Sequence, residues 1–176
     1  MELGTKGKEF VELFFCDFLM HNEDQVEVDN LIWHSYDRII KLKGIGQRHY
    51  YDTHVYPVCA EVAKYRFESS YFKDIYKYAR KEYCYLISEN VPLQNFYIKI
   101  GVSSDVEKRF KAIQMMNPRE LSILKTIPSY CAYIVERYLH LVFSKYRMHG
   151  EWFNLDDDAQ EELFYLVNNY KKNIGL

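Results

Sequence analysis

Glu136 is a carboxylate inside a strongly apolar stretch, YCAYIVERYLHLVFSKY, whose composition is typical of a buried helix. Its neighbours at helical spacings are Ala132, Leu139 and Phe143, so its side chain projects from an apolar face. Burying an unpaired carboxylate is costly, and we therefore expect a cation beside Glu136. That cation is either a metal ion or an arginine that forms a structural ion pair.

His140 follows Glu136 by one helical turn and shares its face of the predicted helix. Two interpretations fit this spacing. The first is a metal site with one glutamate and one histidine ligand. The second is a histidine that is hydrogen-bonded within the core.

The stretch YIKIGVSSDVEKRF, residues 97–110, places further polar groups around a glycine turn. Tyr97 and Lys99 project from the same face of the predicted strand, because side chains alternate along a strand. Arg109 borders the apolar stripe of the next helix and can reach over that strand. Its fork of N–H donors suits a pair of phosphate oxygens better than a lysine would. The stretch therefore favours contact with a phosphate group.

Short strands and helices are predicted to position these residues. The runs that read as strands are residues 83–87, 96–102 and 121–127. Ser104 and Glu107 have the spacing of a capping box at the start of the next helix. The apolar stripe of that helix is formed by Val106, Phe110 and Ile113. GEWFNL leads into a final helix with acidic residues at its start and lysines at its end, as the helix dipole favours.

The N-terminal half is predicted to be mainly helical. Apolar residues recur at helical spacing in residues 7–20, 30–44 and 54–62. Gly44 is expected to end the second helix. Residues 62–79 alternate in part and fit a β-hairpin, with a helix over 69–82 as the alternative.

Charge is strongly segregated, although the net charge is only −2. The charge balance is −7 for residues 1–37, +6 for 38–81, +5 for 99–149 and −6 for 150–162. The two basic segments can each face a polyanion while the acidic segments keep the protein soluble. The alternative is that the opposite charges pair with one another on folding.

Composition argues against several classes of protein. The cysteines are widely spaced without a CxxC motif, so we expect buried packing residues, no structural zinc and a reducing, intracellular setting. They are Cys16, Cys59, Cys84 and Cys131. The first residues lack the regions of a signal peptide, and no apolar run approaches the roughly 18 residues of a membrane span. We expect a soluble protein of the cytoplasm or nucleus.

The order of these elements resembles the GIY-YIG nuclease superfamily, in particular the branch carried by phages and large DNA viruses. YCYLI stands where the first motif lies, and KIG stands where the second lies. ERYLHLVF and GEWFNL look like the closing signature of that branch. The resemblance covers residues 83–155 and matches Tyr85 to the motif tyrosine, Arg109 to the catalytic arginine and Glu136 to the metal-binding glutamate.

The resemblance implies a small three-stranded antiparallel sheet flanked by helices. It also implies hydrolysis of DNA phosphodiesters with one Mg²⁺ or Mn²⁺ ion on Glu136. Arg109 would bind the phosphoryl oxygens, and Tyr85 would help to deprotonate water. A free tyrosine has a pKa of about 10, so Tyr85 needs cationic neighbours. We expect Lys99 to lower its pKa, with Arg109 as a second candidate.

Several positions depart from the family pattern. Tyr83 and Cys84 stand in place of the glycine and isoleucine of the first motif. Lys99 replaces the tyrosine of the second motif, and Tyr97 is a candidate to serve in its place. Loss of the motif glycine leaves open whether the site is active.

Residues 7–80 resemble the small winged-helix domain found at the C-terminal end of poxvirus-type primase–helicases and attached to other proteins of large DNA viruses. This implies a mainly helical, winged-helix-like DNA-binding domain over residues 1–81, followed by a nuclease domain over 82–176. A generic helical cap on the second domain is the alternative. The side chains expected to contact nucleic acid are those of Lys64, Arg66, Lys73, Lys77, Lys108 and Lys111.

Three functions are compatible with the sequence. The first is an Mg²⁺-dependent DNA endonuclease that its N-terminal domain delivers to DNA. The second is a DNA-binding protein with a degenerate, inactive nuclease domain. The third is a structural or interaction protein, which predicts no salt-dependent binding to DNA.

Overall fold

The structure, a computed structural model, describes residues 3–22, 27–69, 71–72, 82–89, 96–129 and 131–174. The chain divides into two compact units: Met1–Ala79 together with Asn168–Leu176 (unit 1), and Arg80–Val167 (unit 2). The division after residue 81 that the sequence suggests remains a prediction. No helix of the described residues is long and apolar enough to cross a membrane.

Unit 1 is helical in its described residues, as predicted. Its helices are α1 (Thr5–His21), α2 (Val28–Leu42) and α3 (Tyr56–Tyr65), with a π-helical turn at Tyr51–Val55 and a 3₁₀ turn at Arg66–Glu68. The predicted apolar face of α1 is buried at Phe10, Leu13, Phe14 and Phe18. Gly44 follows α2 with a φ of +63°, the left-handed conformation that favours glycine.

The predicted β-hairpin over residues 62–79 is wrong at its start. Helix α3 continues to Tyr65, and the 3₁₀ turn follows directly. Val55, Cys59 and Val62 are buried and recur at helical spacing, which outweighs the partial alternation of the sequence. Residues 73–81 lie outside the described residues, and the winged-helix resemblance stays a prediction.

Unit 2 has an α+β fold built on one antiparallel sheet. Its strands are β1 (Glu82–Glu89), β2 (Phe96–Ser103), β3 (Leu121–Ser129), β4 (Arg147–His149) and β5 (Trp152–Leu155). Its helices are α4 (Val106–Met116), α5 (Ala132–Val142) and the first residues of α6 (Asp157–Ile174). The last turns of α6 belong to unit 1, where Asn169 and Asn173 donate hydrogen bonds to the carbonyl oxygens of Met20 and Leu19 at 2.7 and 2.6 Å.

The predicted three-stranded sheet is corrected to a sheet of five strands within the described residues, in the order β3-β1-β2-β5-β4. Strands β1, β2 and β3 lie where the sequence predicts them. Strand β5 pairs with the first half of β2, and β4 pairs with β5 through a turn at Gly150, whose φ is +59°. Strands of three or four residues are too short for alternation to be recognised in the sequence.

The strand register determines which side chains share a face of the sheet. Tyr85 of β1 lies opposite Gly101 of β2, and Lys99 lies opposite both Ile87 of β1 and Trp152 of β5. Residues directly opposite each other project to the same side. We call this side the Tyr85 face.

The two faces of the sheet are covered by different helices. Helix α4 packs on the Tyr85 face. Its Ile113 belongs to a buried hydrophobic cluster with Tyr85, Ile87 and Leu121, and its Phe110 packs against that cluster. Helix α5 contacts the other face, because its His140 ring lies 5.1 Å from that of Phe153, the neighbour of Trp152 in β5. Helices α4 and α5 therefore approach the sheet from opposite sides.

Candidate active site

Tyr85 is the buried centre of the site, with 1% of its surface exposed. It fits because residue 101, directly across the β1–β2 pair, is a glycine. A Cβ atom at that position would lie 2.6 Å from Cζ of Tyr85. Gly101 is therefore required for space and not for an unusual backbone angle, since its φ is not positive.

Arg109 reaches Tyr85 from α4. Its Nε donates to the Tyr85 hydroxyl at 3.4 Å, while the side chain as a whole is exposed. The start of α4 is fixed by Asp105, whose carboxylate accepts a hydrogen bond from the Lys108 backbone N–H at 3.0 Å. The predicted capping box of Ser104 and Glu107 is therefore wrong, because the aspartate one residue later caps the helix.

Lys99 is held by a glutamate that follows Gly150 in the chain. Lys99 Nζ lies 2.5 Å from Oε2 of Glu151, and only 9% of Lys99 is exposed. The backbone aligns the pair, since Ile100 N–H donates to the Glu151 carbonyl at 3.1 Å. The ammonium group also lies 5.9 Å from the ring centre of Trp152. Lys99 thus carries a charge that Glu151 largely neutralises.

Glu136 is a partly buried carboxylate with no hydrogen bond or salt bridge from its side chain to the described residues. Burial raises its pKa, the negative charge of Glu151 raises it further, and Lys99 acts in the opposite direction. The alternative of a structural ion pair with an arginine is not found among the contacts of the described residues. The carboxylate is therefore destabilised until a cation approaches.

His140 is fixed as a hydrogen-bonded core residue. Its Nε2 lies 3.0 Å from the carbonyl oxygen of Ile100, and its Nδ1 lies 2.9 Å from Nη2 of Arg147. The carbonyl can only accept and the arginine can only donate, so Nε2 carries the proton and Nδ1 accepts. Burial lowers the pKa of His140, consistent with a neutral ring. With both nitrogens occupied, His140 is unsuited to bind a metal.

The electrostatics of Tyr85 differ from the expectation in part. Burial raises the pKa of Tyr85, whereas the hydrogen bond and charge of Arg109 lower it; Glu151 and Glu136 raise it. Of the two cations expected to lower the pKa of Tyr85, Arg109 does so, whereas Lys99, which pairs with Glu151, is not among the causes of the shift. The net direction is upward, so Tyr85 is a neutral phenol at pH 7.

Comparison with known protein families addresses the same part of the chain. Residues 82–168 match the T5orf172 domain. This phage-associated domain is placed in the nuclease-related group of GIY-YIG-like and HNH-like domains. No curated protein and no solved structure matches the chain. The match indicates a nuclease-like or DNA-associated role, and the GIY-YIG resemblance itself remains a prediction.

Every residue of the candidate site lies within the T5orf172 match. The structure brings Tyr85 and Arg109 into direct contact and places Glu136 within electrostatic reach of Lys99 and Tyr85. Tyr97 lies two residues before Lys99 and lines a separate groove with Trp152. It is therefore further from the Tyr85 hydroxyl along β2 than Lys99 is.

Sequence reasoning missed Glu151, the carboxylate that pairs with Lys99 and acts on several groups of the candidate site. It appears among the causes of the pKa shifts of Tyr85, Arg109 and Glu136. The available signal was its position in GEWFNL, beside a glycine that permits a tight turn. The pairing of β5 with β2, which carries Glu151 to Lys99, has no local signature.

The predicted DNA-contacting residues are exposed where the structure describes them. These are Lys64 and Arg66 in unit 1 and Lys108 and Lys111 in the T5orf172 region. Arg66 also donates to the carbonyl of Asn173 at 3.4 Å. Lys73 and Lys77 lie outside the described residues. The exposed positions are compatible with contact to a polyanion.

Much of the segregated charge pairs within unit 1. Buried Asp17 accepts hydrogen bonds from Nε and Nη2 of Arg38, both at 2.9 Å. Lys43 pairs with Glu9 at 2.6 Å, and Arg48 with Asp37 at 3.0 Å. The basic charge of α2 and the loop after it is thus satisfied by the acidic N-terminal segment, and charge balance alone is no measure of DNA binding.

Proposed function

We propose that the protein is an Mg²⁺-dependent endonuclease that hydrolyses DNA phosphodiester bonds at a GIY-YIG-like site. The observation that carries this proposal is the contact between Tyr85 and Arg109, with the unpaired Glu136 carboxylate within electrostatic reach of Tyr85. The match of residues 82–168 to a domain of a nuclease-related group supports it.

The donor set fits a magnesium ion. No group of three or more His, Cys, Asp or Glu side chains in the described residues could hold a metal. Magnesium needs fewer protein ligands than that, because it keeps several waters and binds through one or two carboxylates and the phosphates of its substrate. Glu136 would hold it, and a bound Mg²⁺ would polarise the phosphate and stabilise the leaving oxygen.

Arg109 is arranged to bind phosphate and tyrosine at once. Its Nε–H is directed to Tyr85, and its terminal nitrogens form no hydrogen bond with the described residues. Those nitrogens would bind two phosphate oxygens as charge builds in the transition state. Binding would thereby fix the phosphorus atom relative to the Tyr85 hydroxyl.

Tyr85 would orient the attacking water and relay its proton. The raised pKa keeps the phenol protonated before substrate binds. We propose that Tyr85 takes up the water proton while its own proton passes to a phosphate oxygen, so no free phenolate is needed. Glu151 would hold Lys99 beside this path, where the ammonium group offsets negative charge from the phosphate.

Unit 1 would deliver the nuclease to DNA. Its exposed Lys64 and Arg66 are the described candidates for phosphate contacts. In unit 2, Lys108 and Lys111 on α4 would contact phosphates near the active site. Because such contacts release counterions, binding would weaken steeply with added salt.

A second function, DNA binding without cleavage, is favoured by one specific feature. Tyr83 stands where the resemblance has a glycine, and the raised pKa of the nearby Tyr85 makes it a weak base. In this alternative the same surface binds DNA, and the phosphate is never hydrolysed.

Nicking of supercoiled plasmid separates these functions. Wild-type protein is incubated with Mg²⁺ or with EDTA, beside Glu136→Ala and a matched control, Glu161→Ala, which removes an exposed carboxylate of α6. Metal-dependent nicking by wild type and Glu161→Ala, lost in Glu136→Ala, supports the endonuclease. Salt-sensitive binding without nicking by any variant supports the alternative, and absence of both contradicts a DNA-directed function.

A further inference from the structure

A groove on the Tyr85 face lies next to the candidate site and has no part in the chemistry above. It encloses about 320 Å³, and its lining includes Tyr97, Trp152, Met148, Glu89, Asn117 and Arg119. We call it the flanking groove. This volume is at the lower end of the roughly 300–1,000 Å³ of small-ligand sites, so the groove admits a single planar group and not a helix.

One wall of the flanking groove is aromatic. Tyr97 of β2 and Trp152 of β5 are diagonal neighbours in the strand register, and both are partly buried. The Tyr97 ring is not paired with another aromatic ring of the described residues, which leaves it available for stacking. The Trp152 ring packs beside the cluster of Tyr85 and lies near Lys99 Nζ, and it also lines the groove. Aromatic side chains of this kind form the platforms on which single-stranded bases stack.

The flanking groove is also lined by polar side chains that hydrogen-bond to one another. Glu89 accepts hydrogen bonds from Nδ2 of Asn117 at 3.0 Å and from Nη1 of Arg119 at 2.8 Å. The carboxylate is mostly buried, whereas 58% of the Arg119 side chain is exposed. Because one of five N–H donors serves Glu89, the others can reach the acceptor atoms on the edge of a base.

The flanking groove is about one nucleotide away from the expected phosphate position. Trp152 both lines the groove and lies 5.9 Å from Lys99 Nζ. Trp152 lies opposite Lys99, two residues along β2 from Gly101, the position opposite Tyr85, and two residues span about 7 Å along a strand. Tyr97 lies about 7 Å further along β2. A base in the groove would therefore belong to a nucleotide adjacent to the phosphate that Arg109 binds.

We propose that the flanking groove receives an unpaired nucleobase next to the phosphate, so that the substrate class is DNA with an unpaired nucleotide at the cleavage site. This inference rests on the proposed function. A base in an intact duplex is stacked and paired, and must be extruded at a cost before it can enter a lateral groove. A bulged, flapped or single-stranded nucleotide is already unpaired, so its base can enter the groove with little extrusion energy.

Fluorescence of Trp152 tests the proposal directly. The chain has two tryptophans, so Trp33→Phe leaves Trp152 as the single reporter, and Glu136→Gln suppresses cleavage. The protein is titrated with a short duplex that carries one unpaired thymidine and with the same duplex fully paired. We expect quenching of Trp152 and tighter binding with the unpaired thymidine only.

Substitutions of Tyr97 measure how much the aromatic wall contributes to DNA affinity. Tyr97→Ala in this background is expected to weaken binding of the bulged duplex by roughly 5- to 150-fold, and to leave binding of the paired duplex unchanged. Tyr97→Phe retains the ring and should retain the affinity. Tyr165→Ala, which removes an exposed ring of α6, is the matched control and should change neither affinity.

The outcomes separate this inference from the proposed function. Equal quenching and affinity for both duplexes, or an unchanged affinity of Tyr97→Ala, would overturn the flanking-groove proposal. Cleavage of both duplexes at equal rates without Trp152 quenching would leave the endonuclease proposal intact and overturn the groove. Selective quenching with no cleavage by protein that retains Glu136 would overturn the endonuclease proposal and leave the flanking-groove proposal intact.

Discussion

Replacing Gly101 by alanine tests the packing that holds Tyr85 in place. The new Cβ would lie 2.6 Å from Tyr85 Cζ, whereas carbon atoms pack at about 3.5–4.0 Å. The ring must therefore retreat by about 1 Å. With 1% of Tyr85 exposed, its surroundings must move with it. Such overpacking destabilises a protein by roughly 1–3 kcal/mol.

The same displacement should reduce activity by more than the lost stability implies. Arg109 reaches the Tyr85 hydroxyl at 3.4 Å, the outer limit of a hydrogen bond, so a shift of the ring separates them. Misplacement by about 1 Å can cost on the order of 10²-fold in rate. Folded Gly101→Ala protein should therefore nick plasmid about 10²-fold more slowly than wild type.

Urea denaturation and plasmid nicking measure the two effects, with Gly46→Ala as a matched control. A Cβ added at Gly46 would have no atom within 4 Å, and the φ of Gly46 is not positive. Its replacement should be neutral or stabilising by less than about 1 kcal/mol. In a Tyr85→Ala background, Gly101→Ala should cost little, since the clash is gone. Wild-type stability and activity in Gly101→Ala would refute the packing argument.

Three further predictions concern the charged groups. In metal-free buffer at pH 7, Glu136→Gln should raise the free energy of unfolding by on the order of 1 kcal/mol, because burial and Glu151 disfavour the carboxylate; a lower midpoint of urea denaturation would contradict this. His140 has a lowered pKa in the folded state, so its neutral ring contributes to the free energy of unfolding. This contribution is complete above the unfolded pKa of about 6.5 and is lost as the pH falls below it. Thermal melts from pH 8 to pH 5 should show this decline weakened in His140→Gln, and identical profiles would argue against it. Arg109→Lys keeps the charge but loses the fork, and should slow nicking by roughly 10²–10³-fold with little change in DNA affinity; a wild-type rate would exclude the proposed phosphate contact.

Residues that depend on local pattern are well predicted by the sequence. Strict alternation in β2 places Lys99 and Gly101 on one face, and helical spacing in α4 places Phe110 and Ile113 in the core. The predicted burial of the four cysteines is also confirmed. Such patterns persist because a strand or a helix repeats its own geometry along adjacent residues.

The features of the candidate site that the sequence did not predict depend on contacts between residues far apart in the chain. Glu151 meets Lys99 only because residues 152–155 add to the edge of β2, and a four-residue strand carries no periodicity that would reveal its partner. His140 is a core residue and not a metal ligand because Ile100 and Arg147 occupy its two nitrogens. The sequence therefore determined which side chains each element offers to the site. The tertiary structure decided which of them are neutralised, hydrogen-bonded or left unpaired, since charge and hydrogen bonding act through space between residues far apart in the chain.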